Sequence, residues 1–291
     1  MSHLDTEDLR IHFSEYGKKD GKAVLLLHGW PDDATTWDEV IDRLKDRDVR
    51  LIVPTLRGFG ETGFKSAGAP RTANPGILAM DAIALMDGLG IETFSVVGHD
   101  WGSNIAESLA IGWPERVERV ALLSSMPRLG GMPTPPFWHA QLDWYHWFMA
   151  TKRGAEAIEK DRKGFTRLHW HNWAPDGWFD DATFDRVSAS FFNPDWLAIT
   201  LHSYRSRWDE AELDPRSQWL EDKVKATKTL SLPAIYIQGA EDGVNPPAVS
   251  ETVHEKFTGP FERILLQNVG HFPQREDPDA VARNLTMFLE L

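Results

Sequence analysis

Apolar residues recur along this chain in two rhythms. Short β-branched or leucine-rich runs at residues 23–28, 51–56, 94–97, 117–124, 234–239 and 263–267 read as buried strands. Between them, residues 36–45 place Trp37, Val40, Ile41 and Leu44 on one helical face. Residues 77–89 form a second amphipathic helix, ended by Gly90, and residues 104–111, 247–257 and 278–291 complete the helical set. Residues 9–16 alternate like a half-exposed strand before a turn at 17–21. Strands alternating with helices predict a mostly parallel sheet flanked by helices, an α/β fold that gathers ligands at the carboxyl ends of its strands.

The rhythm stops at residues 127–136, a Pro/Gly-rich hinge. Beyond it, helical spacing runs through 138–149, 155–169, 181–191 and 195–204, and eight of the 13 tryptophans fall between 138 and 208. This predicts an all-helical cap at 134–212, inserted into a core made of 1–133 and 213–291.

Composition narrows the function. The 291 residues are 42% hydrophobic, enough for a large core, and 31 basic against 44 acidic side chains leave a net charge of −13. Nucleic acid and anionic membranes are poor partners for such a field. The absence of cysteine excludes disulfides, thiolate catalysis and cysteine-ligated metals. No basic-then-apolar leader and no membrane-length apolar run is present, so the expected location is the cytoplasm. The expected partners are a small apolar substrate and water, with no cofactor or metal, in a monomer or homodimer.

The candidate chemistry centres on the stretch from Ser95 to Ser103, where a buried strand enters a helix through a tight turn with Asp100 at its tip. Gly98 and Gly102 flank the turn, the pattern of a nucleophile elbow with aspartate in the serine slot. His28, Asp242 and His271 also lie just past strand ends, so one fold brings all four to one rim. Together with the motifs His28-Gly29-Trp30-Pro31, Gly239-Ala240-Glu241-Asp242 and Val269-Gly270-His271-Phe272, the elbow makes the whole chain resemble the aspartate-nucleophile branch of the α/β-hydrolase fold. That branch holds epoxide hydrolases and haloalkane and haloacetate dehalogenases.

The resemblance implies that Asp100 forms an alkyl-enzyme ester, His271 activates the hydrolytic water, and Asp242 orients His271. It also implies an oxyanion hole from the backbone N–H groups of Trp30 and Trp101, with Pro31 in the cis form. Tyr145 and Tyr204 match the ring-opening tyrosines of bacterial epoxide hydrolases, and His28, Pro31, His146, Trp147 and Phe148 are expected around the substrate. His99 is expected to pack and His254 to sit on an exposed helix. Dehalogenation is the alternative, because His146-Trp147 with Tyr204 also resembles a halide pocket. Haloacetate enzymes, however, carry arginines where this chain has Trp101 and Asn104. A serine esterase lacks its nucleophile here, and a non-catalytic binding protein would lack a triad member, whereas none is missing.

Overall fold

The computed structural model describes residues 2–291. Nine strands form one sheet: β1 (Ser2–Asp5), β2 (Leu9–Gly17), β3 (Lys22–Leu27), β4 (Val49–Pro54), β5 (Gly63–Phe64), β6 (Phe94–His99), β7 (Val117–Leu123), β8 (Ala234–Gly239) and β9 (Phe261–Leu266). Their order is β1-β2-β4-β3-β6-β7-β8-β9, with β5 beside β2. The pairs made by β2 are antiparallel and all pairs from β4 to β9 are parallel. Strand β6 is buried along its whole length, as a central parallel strand covered on both faces must be, whereas β2 alternates buried with partly exposed positions.

Successive side chains of the central strands serve opposite faces. Leu25, Leu27, Val96 and Leu122 join the layer of helices Pro75–Gly88 and Trp101–Gly112. Val24, Leu26, Val97 and Leu123 join helices Asp38–Leu44 and Pro278–Leu289 on the other side. The result is a three-layer α/β/α sandwich. Register sets the rim: Leu27 pairs with Gly98 and His99 with Leu123, so β3, β6 and β7 end level.

Two expected helices differ from the pattern. Pro75–Gly88 is not amphipathic; Ile77, Leu78, Ala79, Ala82, Ile83, Leu85 and Met86 are all buried, because the helix is wedged between Trp101–Gly112 and Gln218–Ala226. Residues 247–257 form two 3₁₀ turns, Pro247–Ser250 and Val253–Lys256, instead of one α-helix. The Pro247 carbonyl, which an α-helix would use internally, accepts from Arg263 Nη2 at 2.9 Å. His254 is exposed on the second turn.

Between β7 and the connector Gln218–Ala226 the chain contains helices and no strand. The expected helical stretch 155–169 divides at Asp161, whose carboxylate accepts the Gly164 N–H at 2.7 Å and starts a new helix, Arg162–Asn172. Stretch 138–149 likewise divides into Phe137–Ala140 and Trp144–Ala150. Among the described residues, no helix is long and apolar enough to cross a membrane.

Candidate active site

Strand β6 delivers Asp100 to the rim with φ 52° and ψ −111°, a conformation that L-residues rarely adopt. The turn is so tight that a Cβ on Gly98 would lie 2.0 Å from the Gly102 carbonyl oxygen, and one on Gly102 would lie 2.2 Å from that of Leu27. The surroundings hold the strain: the Asp100 N–H donates to the Leu123 carbonyl at 3.0 Å, and Ser103 Oγ accepts the Leu123 N–H at 2.9 Å. Trp101 opens the following helix, at a position whose N–H has no partner within the helix.

The Asp100 carboxylate has two distinct sides. Oδ1 accepts the Trp30 N–H at 2.8 Å, while Oδ2 faces His271 Nε2 at 3.7 Å. On its far side, the imidazole Nδ1 lies 2.9 Å from Asp242 Oδ2. Asp242 is itself fixed, since Oδ1 accepts the N–H groups of Val244 at 3.0 Å and Asn245 at 2.8 Å. The loop carrying His271 is held at several points. Its N–H donates to the Trp173 carbonyl at 2.9 Å, and its carbonyl accepts His99 Nε2 at 2.8 Å. Carboxylate oxygens of Glu276 accept the flanking N–H groups of Gly270 and Phe272.

Burial would lower the His271 pKa, yet the carboxylates of Asp242 and Asp100 outweigh it and push the imidazole up to about 10. Burial would likewise raise Asp100, but the attraction of the His271 imidazolium facing it holds it below the usual carboxylate range. The resting pair is thus carboxylate and imidazolium. Desolvation lowers His99 to about 4, so it is neutral; because a carbonyl only accepts, its proton sits on Nε2. Burial raises the Glu276 carboxyl to about 7 against the pull of its two N–H partners.

Aromatic rings gather around Trp30, whose N–H meets this carboxylate. Trp30 stacks on Tyr145 at 5.8 Å between centroids and meets Tyr204 edge-on at 5.2 Å. The two phenol rings pack against each other at 5.3 Å. Trp101 Nε1 donates to the Tyr204 hydroxyl at 3.3 Å, which leaves the hydroxyl proton free to point elsewhere. Burial, with Asp100 among the nearby negative charges, drives both phenol pKa values well above 10, so both stay protonated.

The sequence model of the alpha/beta hydrolase fold matches residues 22–278. The chain belongs to that family. Within it, the chain is 26% identical to epoxide hydrolase A of Mycobacterium tuberculosis, over 98% of this chain and 96% of that one. It is 28% identical to a soluble epoxide hydrolase of a Corynebacterium strain, over 94% of this chain and 91% of the relative. A crystal structure from Klebsiella pneumoniae, provisionally described as an epoxide hydrolase, superposes with a TM-score of 0.92 at 35% identity, covering 100% of this chain and 97% of the other.

Not every expected residue of this hydrolase-fold chain meets at the carboxylate. Trp30 and His271 face it, Asp242 stands behind His271, and Trp101, Tyr145 and Tyr204 join the aromatic cluster around Trp30. His146 is close, its ring 4.7 Å from that of Tyr204 and its Nδ1 accepting Trp208 Nε1 at 3.2 Å. Trp147 turns outward onto Trp208 at 4.5 Å and is 39% exposed, and Phe148 packs on Trp144 and Phe165. Helix geometry explains this: side chains advance about 100° per residue, so with Tyr145 and Met149 inward, Trp147 falls on the opposite side. His28 is a brace. Its Nε2 accepts the Leu56 N–H at 3.0 Å and its Nδ1 lies 3.0 Å from the Gly29 carbonyl. The Trp30–Pro31 peptide is cis, and the Pro31 carbonyl accepts Trp170 Nε1 at 2.7 Å.

Sequence reasoning missed Trp173, Trp170 and His169, which roof or tie the site, and the buried pair Asp32–Arg275. Arg275 Nε and Nη2 grip both Asp32 oxygens, at 2.8 and 2.6 Å. The available signal was the aromatic density of residues 169–173.

Proposed function

We propose that the chain is an epoxide hydrolase that opens an apolar epoxide to a vicinal diol through an ester on Asp100. The observation that carries this reading is the buried pair of protonated phenols, Tyr145 and Tyr204, packed against the two tryptophans that flank the carboxylate. Opening an epoxide creates an alkoxide that needs a proton, and a phenol near its ordinary acidity or weaker can deliver one at neutral pH. A departing halide needs no proton. The Trp101 indole N–H, which could serve a halide, is engaged with Tyr204. The names of the relatives support the same reading.

In this mechanism Asp100 Oδ2 attacks an epoxide carbon, the bond from that carbon to the ring oxygen breaks, and the oxygen takes a proton from Tyr145 or Tyr204. Esterification removes the Asp100 charge, so one of the two carboxylates that raise His271 is lost and the imidazolium yields its proton to solvent more readily. Neutral His271 then deprotonates a water that attacks the Asp100 carbonyl carbon. The negative charge develops on Oδ1, where the Trp30 N–H already sits at 2.8 Å and the Trp101 N–H supplies a second donor. Collapse restores the carboxylate and releases the diol, its leaving oxygen taking a proton from the tetrahedral hydroxyl by way of His271, and the tyrosinate left by ring opening recovers from solvent the proton that His271 gave up. The helices of 134–212 act as the cap, supplying both phenols and an aromatic wall suited to aryl or alkyl groups, over a core of 1–133 and 213–291.

Single turnover of styrene oxide in ¹⁸O water tests the path. The expected diol carries unlabelled oxygen from Asp100, and the label appears in the Asp100 carboxylate by peptide mapping. Label entering the first-turnover diol directly would mean that water attacks the epoxide and that Asp100 acts only as a base.

A further inference from the structure

The short helix Pro273–Glu276 turns back on the loop it follows. Glu276 Oε2 accepts the Gly270 N–H at 2.7 Å and Oε1 accepts the Phe272 N–H at 2.8 Å, so one carboxylate grips the peptides on both sides of His271. The peptide of His271 itself is committed elsewhere, its N–H to the Trp173 carbonyl and its carbonyl to His99. Without Glu276, the N–H groups of Gly270 and Phe272 would each lose their acceptor in a mostly dry loop. Two bonds from one side chain to N–H groups on either side of His271 are a strong local restraint on this loop. A shift of about 1 Å in a catalytic group can cost about 10²-fold in rate, and His271 Nε2 hangs directly from this peptide.

We propose that Glu276 is a positioning residue for the hydrolytic half of the cycle, holding the His271 imidazole where it can take a proton from the water that attacks the Asp100 ester. The proposal rests on the ester mechanism given above. In that mechanism alkylation uses Asp100 and the phenols and needs no base, whereas ester hydrolysis depends on the placement of Nε2. A residue that acts only through His271 therefore separates the two halves.

The test is rapid-quench intact-mass analysis of single turnovers with styrene oxide. Glu276→Gln keeps the shape and one acceptor oxygen; Glu276→Ala keeps neither. Adduct formation is expected within about twofold of wild type in both, while adduct decay slows roughly tenfold in the glutamine variant and about 10²-fold in the alanine variant. Parallel slowing of both phases would reduce Glu276 to a general structural part, and wild-type decay in both variants would remove it from the mechanism. Either result overturns the proposal. His271→Gln serves as the control and should accumulate adduct without decay. If no adduct forms there, the ester mechanism itself fails and the positioning role falls with it.

Discussion

The residue that changes role during the proposed cycle is His271, and its two carboxylate neighbours make the change measurable. Replacing Asp100 with Asn imitates the esterified state by removing one charge at an unchanged shape. The His271 pKa, about 10 beside both carboxylates, should then fall by roughly 1–3 units in ¹⁵N-detected NMR titration. An unchanged value would remove the proposed means of releasing the base. The same shift predicts a stability trend. The folded-state pKa lies above the ordinary 6.5, so the stabilisation is fully present below pH 6.5 and is lost as pH rises through about 10. Thermal unfolding of wild type should show this decline, and Asp100→Asn should show less of it. The phenols allow a separate check by steady-state diol assay. Tyr145→Phe and Tyr204→Phe should each slow epoxide opening, and the double variant should lose about 10²- to 10⁴-fold in turnover. Retained activity in the double variant, together with halide release from haloalkanes, would favour dehalogenation.

At the scale of elements, the parts that could be read from the sequence are those fixed by neighbours in the chain. The elbow is legible because Gly98 and Gly102 are sterically required within a few residues of Asp100, and the buried strands because apolar runs covered on both faces have no other use. Interactions with partners far along the chain are illegible. Arg263 donates to the Pro247 carbonyl in a stretch that forms two 3₁₀ turns where local spacing favoured one α-helix. Glu276 and Arg275 look like an ordinary charged helix end until the fold brings Gly270, Phe272 and Asp32 to them. The Arg275–Asp32 pair joins helix Pro273–Glu276 to the loop after β3 through a wholly buried carboxylate, with the guanidinium also 5.5 Å from the Trp170 ring centroid. Arg275→Met leaves that carboxylate buried and unpaired, and should destabilise the protein by about 3–5 kcal/mol in urea unfolding. Adding Asp32→Asn should recover part of the loss; a double variant worse than the single would show that the two residues act independently.

For the whole molecule, the informative feature is one carbonyl group. The Trp173 oxygen accepts both the His271 N–H at 2.9 Å and the Gly243 N–H at 3.1 Å. It belongs to the helical segment after β7, yet it gathers the loops that carry His271 and Asp242, and the same segment packs Phe165, His169 and Trp196 around Trp30. Insertion and core should therefore melt in a single calorimetric transition, and the amides of Gly243 and His271 should exchange only with global unfolding. Two resolved transitions would contradict this. The consequence reaches protein engineering: the helical segment between β7 and Gln218–Ala226 is not an interchangeable module. A chimaera that borrows this segment from another hydrolase must reproduce the backbone path at residue 173, because a segment that fits by shape alone would leave the loops of His271 and Gly243 without their shared acceptor.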